Sequence, residues 1–145
     1  MIKLSDYEFP MFSIVREKEG LPQNIQFLYE KIQKAPALII SVNENNRNVS
    51  AFFKNIIDWL SRVERKFLQD KKILLMSTSP GQYGGAAALE YAKTIFPRFG
   101  GTVVESFSLP KFRENFDVEK GVIVNEVFEL GVVEVITSFS QQIKE

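Results

Sequence analysis

The stretch Leu38–Arg62, LIISVNENNRNVSAFFKNIIDWLSR, decides the fold class. It opens in an apolar run, crosses a polar loop and closes in a patterned helix. Ala37 to Val42 is apolar apart from Ser41, and a run this short is a strand length rather than a helix length. An uninterrupted apolar strand of that kind is covered on both faces, as in a parallel sheet. Ser50 is a good N-cap. Beyond it Phe52, Phe53, Ile56, Ile57, Leu60 and Val63 recur at helical period and form one apolar stripe. In an open α/β sheet, the loop at such a strand-to-helix crossing is where ligands bind.

The same alternation extends in both directions. Upstream, Pro22 suits the first turn of a helix bearing Ile25, Leu28, Tyr29 and Ile32, and Pro36 ends it. Downstream, Ile73–Met76 repeats the buried-strand pattern and runs into the loop Ser77–Gly85, STSPGQYGG. A helix rich in good helix formers follows from Ala86 to Ile95, closed by Pro97 and Gly100-Gly101. Thr102–Leu109 is a third strand. Lys111–Gly121 reads as a polar loop, and from Val127 a closing helix carries Phe128, Val132, Val135, Ile136, Phe139 and Ile143. Before all of these, Ile2–Leu4 reads as a short strand, Asp6–Phe12 as an extended loop around Pro10, and Arg16–Gly20 as a charged turn. The pattern predicts an α/β fold with a parallel sheet, helices on both faces and right-handed crossovers. With 145 residues and no linker-like tract, it forms a single domain over 1–145.

Composition narrows the chemistry. Eighteen basic and eighteen acidic residues cancel, which speaks against nucleic-acid binding through a basic surface. There is no cysteine and no histidine, so disulfides, thiolate nucleophiles, Cys/His zinc sites and imidazole bases are all excluded. No oxygen-rich cation loop is present either. No apolar run is long enough for a membrane span or a signal core, and the expected compartment is the cytoplasm. What remains is carboxylate, hydroxyl or lysine chemistry, or an organic cofactor that carries the reaction.

Two loops leave the carboxyl ends of the strongest strands. In Thr78–Gly85, the glycines Gly81, Gly84 and Gly85 let backbone N–H groups approach a ligand closely and lie at a helix start. The same glycines also suit a plain tight connection, and no P-loop Gly-Lys-Ser/Thr follows. In Asn43–Val49, Glu44, Asn45, Asn46, Arg47 and Asn48 suit either a solvated turn or the polar edge of a heterocycle. Residue types alone leave both alternatives open.

The combination is more specific than its parts. LIIS, then ENNRNVSAFFKNIIDWLSR, then KKILLMSTSPGQYGGAAAL resembles the NADPH-dependent FMN reductase family of flavodoxin-like proteins. That family reads roughly P-E-Y-N-G/R-S, then a Leu-Lys-Asn-x-x-Asp-Trp helix, then T/S-S-x-G-x-x-G-G after the next strand. Lys54-Asn55, Asp58-Trp59 and the Thr78–Gly85 loop match in order and spacing, and Asp6–Phe12 is similar to its D-Y-x-x-P-x-F/Y segment. Two positions depart from it, Asn43 for the proline and Asn45 for the tyrosine.

The resemblance implies a flavodoxin-like three-layer sandwich with sheet order 2-1-3-4-5 and FMN at the switch point. Glu44, Asn45, Asn46 and Arg47 would border the flavin ring, and Ser79, Pro80, Gly81, Gly84 and Gly85 would offer backbone hydrogen bonds to its pyrimidine edge. NADPH or NADH would reduce the flavin, and a quinone, azo compound, metal ion or free flavin would accept the electrons. The helix with Lys54, Asp58 and Trp59 would form a homodimer interface. The chain begins where the family's second strand begins, so its first strand, G-S-x-R-x-x-S phosphate loop and first helix are expected to be missing. An alternative expectation follows: a truncated or degenerate member that holds FMN weakly and acts only in assembly.

Overall fold

The computed structural model describes residues 1–144. In chain order the elements are α1 (Ile14–Glu19), α2 (Gln23–Lys34), β1 (Ala37–Ser41), β2 (Glu44–Asn45), β3 (Asn48–Val49), α3 (Ala51–Val63) and β4 (Lys72–Thr78). They continue with α4 (Ala86–Ile95), β5 (Thr102–Leu109), α5 (Phe112–Asn115), β6 (Phe116–Asp117), β7 (Val122–Ile123) and α6 (Glu126–Gln142). The main sheet has the order β1-β4-β5 and is parallel throughout. This is the α/β alternation expected from the apolar runs, with β4 in the middle.

Side-chain alternation in β4 sorts the two faces. Ile73 and Leu75 are fully buried in one cluster with Phe53, Ile56, Trp59 and Leu60 of α3 and Ala88, Leu89 and Ala92 of α4. Ile25 and Leu28 of α2 belong to the same cluster. Leu74 is also fully buried but lies on the other face, opposite Glu105 of β5. There Glu105 Oε1 accepts from Ser138 Oγ at 2.5 Å and from Gln142 Nε2 at 3.2 Å, and the Lys72 ammonium donates to the Gln142 carbonyl. α6 is therefore the layer that covers this second face. Helix–sheet–helix layering, the flavodoxin-like arrangement, is what the strands' two-sided apolar pattern required.

Three local expectations are corrected. Ile2–Leu4 is not a strand; a 3-10 turn occupies Leu4–Asp6, and no strand of the sheet lies beside it to pair its backbone. Arg16–Gly20 is not a loose turn, because Ser13 Oγ accepts from Arg16 N–H at 3.2 Å and starts the helix α1. Lys111–Gly121 is not uniformly loop: it holds α5 and one strand of the β6–β7 hairpin, which Asn115 anchors through its carbonyl to Val124 N–H. The helix predicted after Pro22 runs to Lys34, with Pro22 itself at the N-cap position.

Candidate functional site

The loop after β1 is a two-residue hairpin. Val42 N–H donates to Met76 O, then Ser50 Oγ donates to Asn43 Oδ1 at 2.8 Å and accepts from Phe53 N–H at 3.1 Å. One serine thus closes the loop and caps α3. Between β2 and β3, Asn46 and Arg47 lie at φ 51° and 61°, the two positive-φ positions of a type I′ turn. Asparagine tolerates that region; arginine there costs about 1–2 kcal/mol. Arg47→Gly is expected to raise unfolding free energy by about 0.5–1 kcal/mol, the left-handed penalty less glycine's extra unfolded-state entropy. Urea unfolding reads this directly, and a loss of stability would show that the Arg47 side chain offsets its own strain.

Glu44 has a role that its polar loop did not announce. Its Oε2 accepts from Ala87 N–H at 2.9 Å and Ala88 N–H at 3.2 Å. A carboxylate from 43 residues upstream therefore satisfies the first turn of α4 and answers its positive end. This locks the hairpin against the start of α4, so the two loops singled out in the sequence form one surface. Two of the N–H donors at the α4 N-terminus are thereby taken.

The glycine-rich loop is built by its neighbours. Gly84 has φ +58°, and a Cβ there would lie 2.3 Å from Ser108 Oγ and 2.8 Å from the Leu109 and Pro110 backbone. The Gly84 carbonyl accepts from both Ser77 Oγ at 2.7 Å and Ser108 Oγ at 2.9 Å. Gly85, at φ +83°, is the N-cap of α4. On the far side, Ser79 O and Gly81 O accept from Phe112 N–H and Lys111 N–H, both at 2.9 Å, which adds the loop after β5 to the site. Among the described residues, the N–H groups of Gly81, Gln82, Tyr83 and Gly85 have no intramolecular acceptor. The three on exposed residues, Gly81, Gln82 and Tyr83, are the chemical content of the loop.

All nine residues expected at the site thus fall on one edge. Glu44, Gly84 and Gly85 are engaged in structure; Asn45, Asn46, Arg47, Pro80 and Gly81 are exposed, and Ser79 is half-buried. Ser77, Ser108 and Lys111, which shape the loop, gave no signal in the sequence because their partners are carbonyls of the glycine-rich loop reached through the fold and not through local spacing. An open cleft of about 620 Å³, lined by Tyr7, Glu8, Phe9, Pro10, Pro22, Gln23, Asn24 and Phe52, includes none of the nine.

On α3, Asn55 and Trp59 turn inward to hold the amino-terminal segment. Asn55 Oδ1 accepts from Phe12 N–H at 2.7 Å, its Nδ2 donates to Pro10 O at 3.1 Å, and Trp59 Nε1 donates to Pro10 O at 2.7 Å. Lys54 and Asp58 pair at 2.6 Å on the outer face, half exposed, and so contribute little to stability. Among the described residues no helix is long and apolar enough to cross a membrane.

Comparison with known proteins bears on the family and the fold. The sequence model of the NADPH-dependent FMN reductase family matches residues 1–114. A quinone reductase of Escherichia coli (strain K12) is 31% identical over 121 residues, which cover 76% of this chain and 64% of that protein. The NADH:(hydroxy)cinnamate reductase subunit CrdA of Vibrio ruber is 26% identical over 114 residues, covering 76% of this chain and 55% of that one. This chain therefore spans just under two thirds of the quinone reductase it matches. Among solved structures, the flavoenzyme NAD(P)H:(acceptor) oxidoreductase FerB of Paracoccus denitrificans superposes with a TM-score of 0.77 at 21% identity, covering 97% of this chain and 77% of that one. That likeness shows the shared flavodoxin-like fold. The chain belongs to the NADPH-dependent FMN reductase family.

Proposed function

We propose that the edge formed by the Glu44–Val49 hairpin and the Ser79–Gly85 loop is the ring side of an FMN site in a NAD(P)H-dependent oxidoreductase. The observation that carries this reading is the set of N–H donors without intramolecular acceptors at the exposed Gly81, Gln82 and Tyr83, on the same edge as the exposed amides of Asn45 and Asn46. A planar heterocycle with carbonyls along one edge fits such donors. When bound, FMN supplies hydride acceptance from the nicotinamide and electron delivery to an acceptor, with a quinone the first to test. This chain's own residues hold and orient the ring. Ser77 and Ser108 fix the Gly84 carbonyl and so the direction of the neighbouring N–H groups, and Glu44 holds the hairpin wall in register.

The phosphate end does not fit equally well. The first turn of α4 already receives Glu44, and Arg47 is the one cation on the hairpin. FMN affinity in the range of about 1–100 µM is therefore expected, weaker than a resident flavin with a gripped phosphate. Titrating FMN against the protein while following flavin fluorescence tests this. Quenching in that range, followed by NADPH or NADH oxidation dependent on a benzoquinone, is the expected result. Fluorescence that stays at the free value throughout sinks the flavin reading and leaves assembly as the function.

The same proposal includes a cytoplasmic setting and a homodimer through the outer face of α3. Since Trp59 is buried within the protomer, the contact falls to Phe52, Lys54 and Asp58, which remain exposed or half exposed. Sedimentation equilibrium of Asp58→Arg is expected to show a monomer where the parent shows a dimer; an unchanged mass removes α3 from the interface.

A further inference from the structure

The exposed N–H donors of the glycine-rich loop are not equally fixed. A trans peptide is planar, and its N–H points opposite to its C=O, so the carbonyl of the preceding residue decides where each donor is aimed. Gly81 O accepts from Lys111 N–H at 2.9 Å and from Gly84 N–H at 3.4 Å. The Gly81–Gln82 peptide is therefore held from one side, and the Gln82 N–H is turned away from Lys111 on an exposed residue. Among the described residues, Pro80 O and Gln82 O accept no hydrogen bond. The Gly81 and Tyr83 N–H groups thus belong to peptides whose planes nothing holds.

The hold on Gly81 comes from a residue in an unfavoured conformation. Lys111 lies at φ 47° and ψ 55°, in the left-handed region, immediately before α5. An extended residue throws its own N–H and the next one to opposite sides of the chain. The turn at Lys111 brings both to one side, where Lys111 N–H meets Gly81 O and Phe112 N–H meets Ser79 O, each at 2.9 Å. Glycine or asparagine would adopt this backbone more readily than lysine. The lysine charge is not spent on the loop, because the ammonium pairs with Glu114 at 3.1 Å within α5. Asn115 braces the turn, donating from its side chain to Pro110 O at 2.8 Å and from its N–H to Lys111 O at 3.1 Å.

We propose that Lys111 is a positioning residue for the cofactor reaction: its left-handed backbone, and not its charge, aims the Gln82 N–H at a ring carbonyl of the flavin. The Gly81 and Tyr83 donors adapt to whatever binds, whereas Gln82 is set in advance. A fixed N–H at a carbonyl that gains negative charge when the ring accepts hydride favours the reduced ring over the oxidised one. The identity of the ligand rests on the flavin reading above; the aiming of the donor does not.

The test combines amide exchange with flavin binding in the 145-residue chain. Without flavin, hydrogen exchange followed by NMR is expected to show protected Lys111 and Phe112 amides and a fast Gln82 amide. Added FMN should slow Gln82 by about tenfold or more, and by more than Gly81 or Tyr83. Lys111→Gly, Lys111→Asn and Lys111→Val all remove the ammonium group, but only valine opposes the left-handed region. The valine variant is expected to release the Lys111 and Phe112 amides and to weaken FMN binding about tenfold. Unchanged exchange at Ile73 and Leu75 shows that its sheet is intact. Its bound FMN should also have a lower midpoint potential, by about 30 mV for a tenfold loss confined to the reduced form. The glycine and asparagine variants should restore affinity to within about threefold of the parent, and they decide the matter if the valine variant does not fold. Equal loss in all variants overturns the proposal in favour of direct contact by the ammonium group. FMN binding that leaves Gln82 exchange unchanged overturns it as well, as does a valine variant that keeps both protected amides. Absence of flavin quenching in the parent removes the flavin reading. The Lys111 and Phe112 amides then decide the aiming alone, protection upholding it and free exchange overturning it.

Discussion

Trp59→Ala lowers the unfolding free energy by about 3–5 kcal/mol, the range for removing a large buried aromatic ring. Trp59 is 1% exposed, meets Phe12 edge-on at 5.1 Å between centroids, and donates through Nε1 to Pro10 O at 2.7 Å. The truncation leaves a cavity beside Ile56 and Leu60 and weakens the hold of α3 on Pro10–Phe12, leaving Asn55 alone to bond that segment from α3. Trp59→Phe separates the two parts: most of the ring volume stays, the hydrogen bond goes, and about 1–2 kcal/mol is lost. Urea unfolding with unchanged m-values is the measurement. A cost below about 1 kcal/mol for the alanine variant would mean that the amino-terminal segment is held by something other than this tryptophan.

Gly84→Ala is the second large effect, and it joins stability to the site. The added methyl meets Ser108 Oγ at 2.3 Å and backbone atoms of Leu109 and Pro110 at 2.8 Å, where the chain already sits at φ +58°. Backbone of a paired strand cannot yield as a flexible side chain does. Steric strain and the left-handed penalty together cost about 2–4 kcal/mol. The loop can escape only by moving away from β5, which breaks the Ser77 and Ser108 bonds to the Gly84 carbonyl and re-aims the free N–H groups. Loss of FMN quenching at a temperature where circular dichroism still shows the folded protein is the expected signature. Retained stability with retained quenching would show that the loop is not fixed by β5.

Much of the candidate site was legible because it lies in local patterns. Glycine at Gly84 and Gly85, asparagine at Asn46 and a serine cap at Ser50 are each demanded by backbone conformations within a few residues. What escaped was every role played across the chain. Glu44 suited either a solvated turn or the edge of a heterocycle, and its engagement with Ala87 and Ala88 depends on β1 and β4 lying side by side. Trp59 was marked only as part of the helix that the resemblance gives to a dimer contact, and its hydrogen bond to Pro10 and edge-on contact with Phe12 depend on a segment more than forty residues away. Lys111 adopts φ 47° and brings a third loop to the glycines, which no spacing rule announces.

The sequence by itself determined the class of fold. Apolar runs without alternation demand strands covered on both faces, helical stripes between them demand crossovers, and both follow from periodicity and burial alone. It also excluded thiol and imidazole chemistry outright, since those side chains are absent. Tertiary structure decided which strand lies at the edge, because strand order depends on which neighbours are present, and no local pattern records that. β1 reads as an inner strand and stands at the end of the sheet, with Ile39 bare and two amides turned outward. The disagreement arises because a side chain's hydrophobicity belongs to the residue, whereas its burial belongs to whatever packs against it.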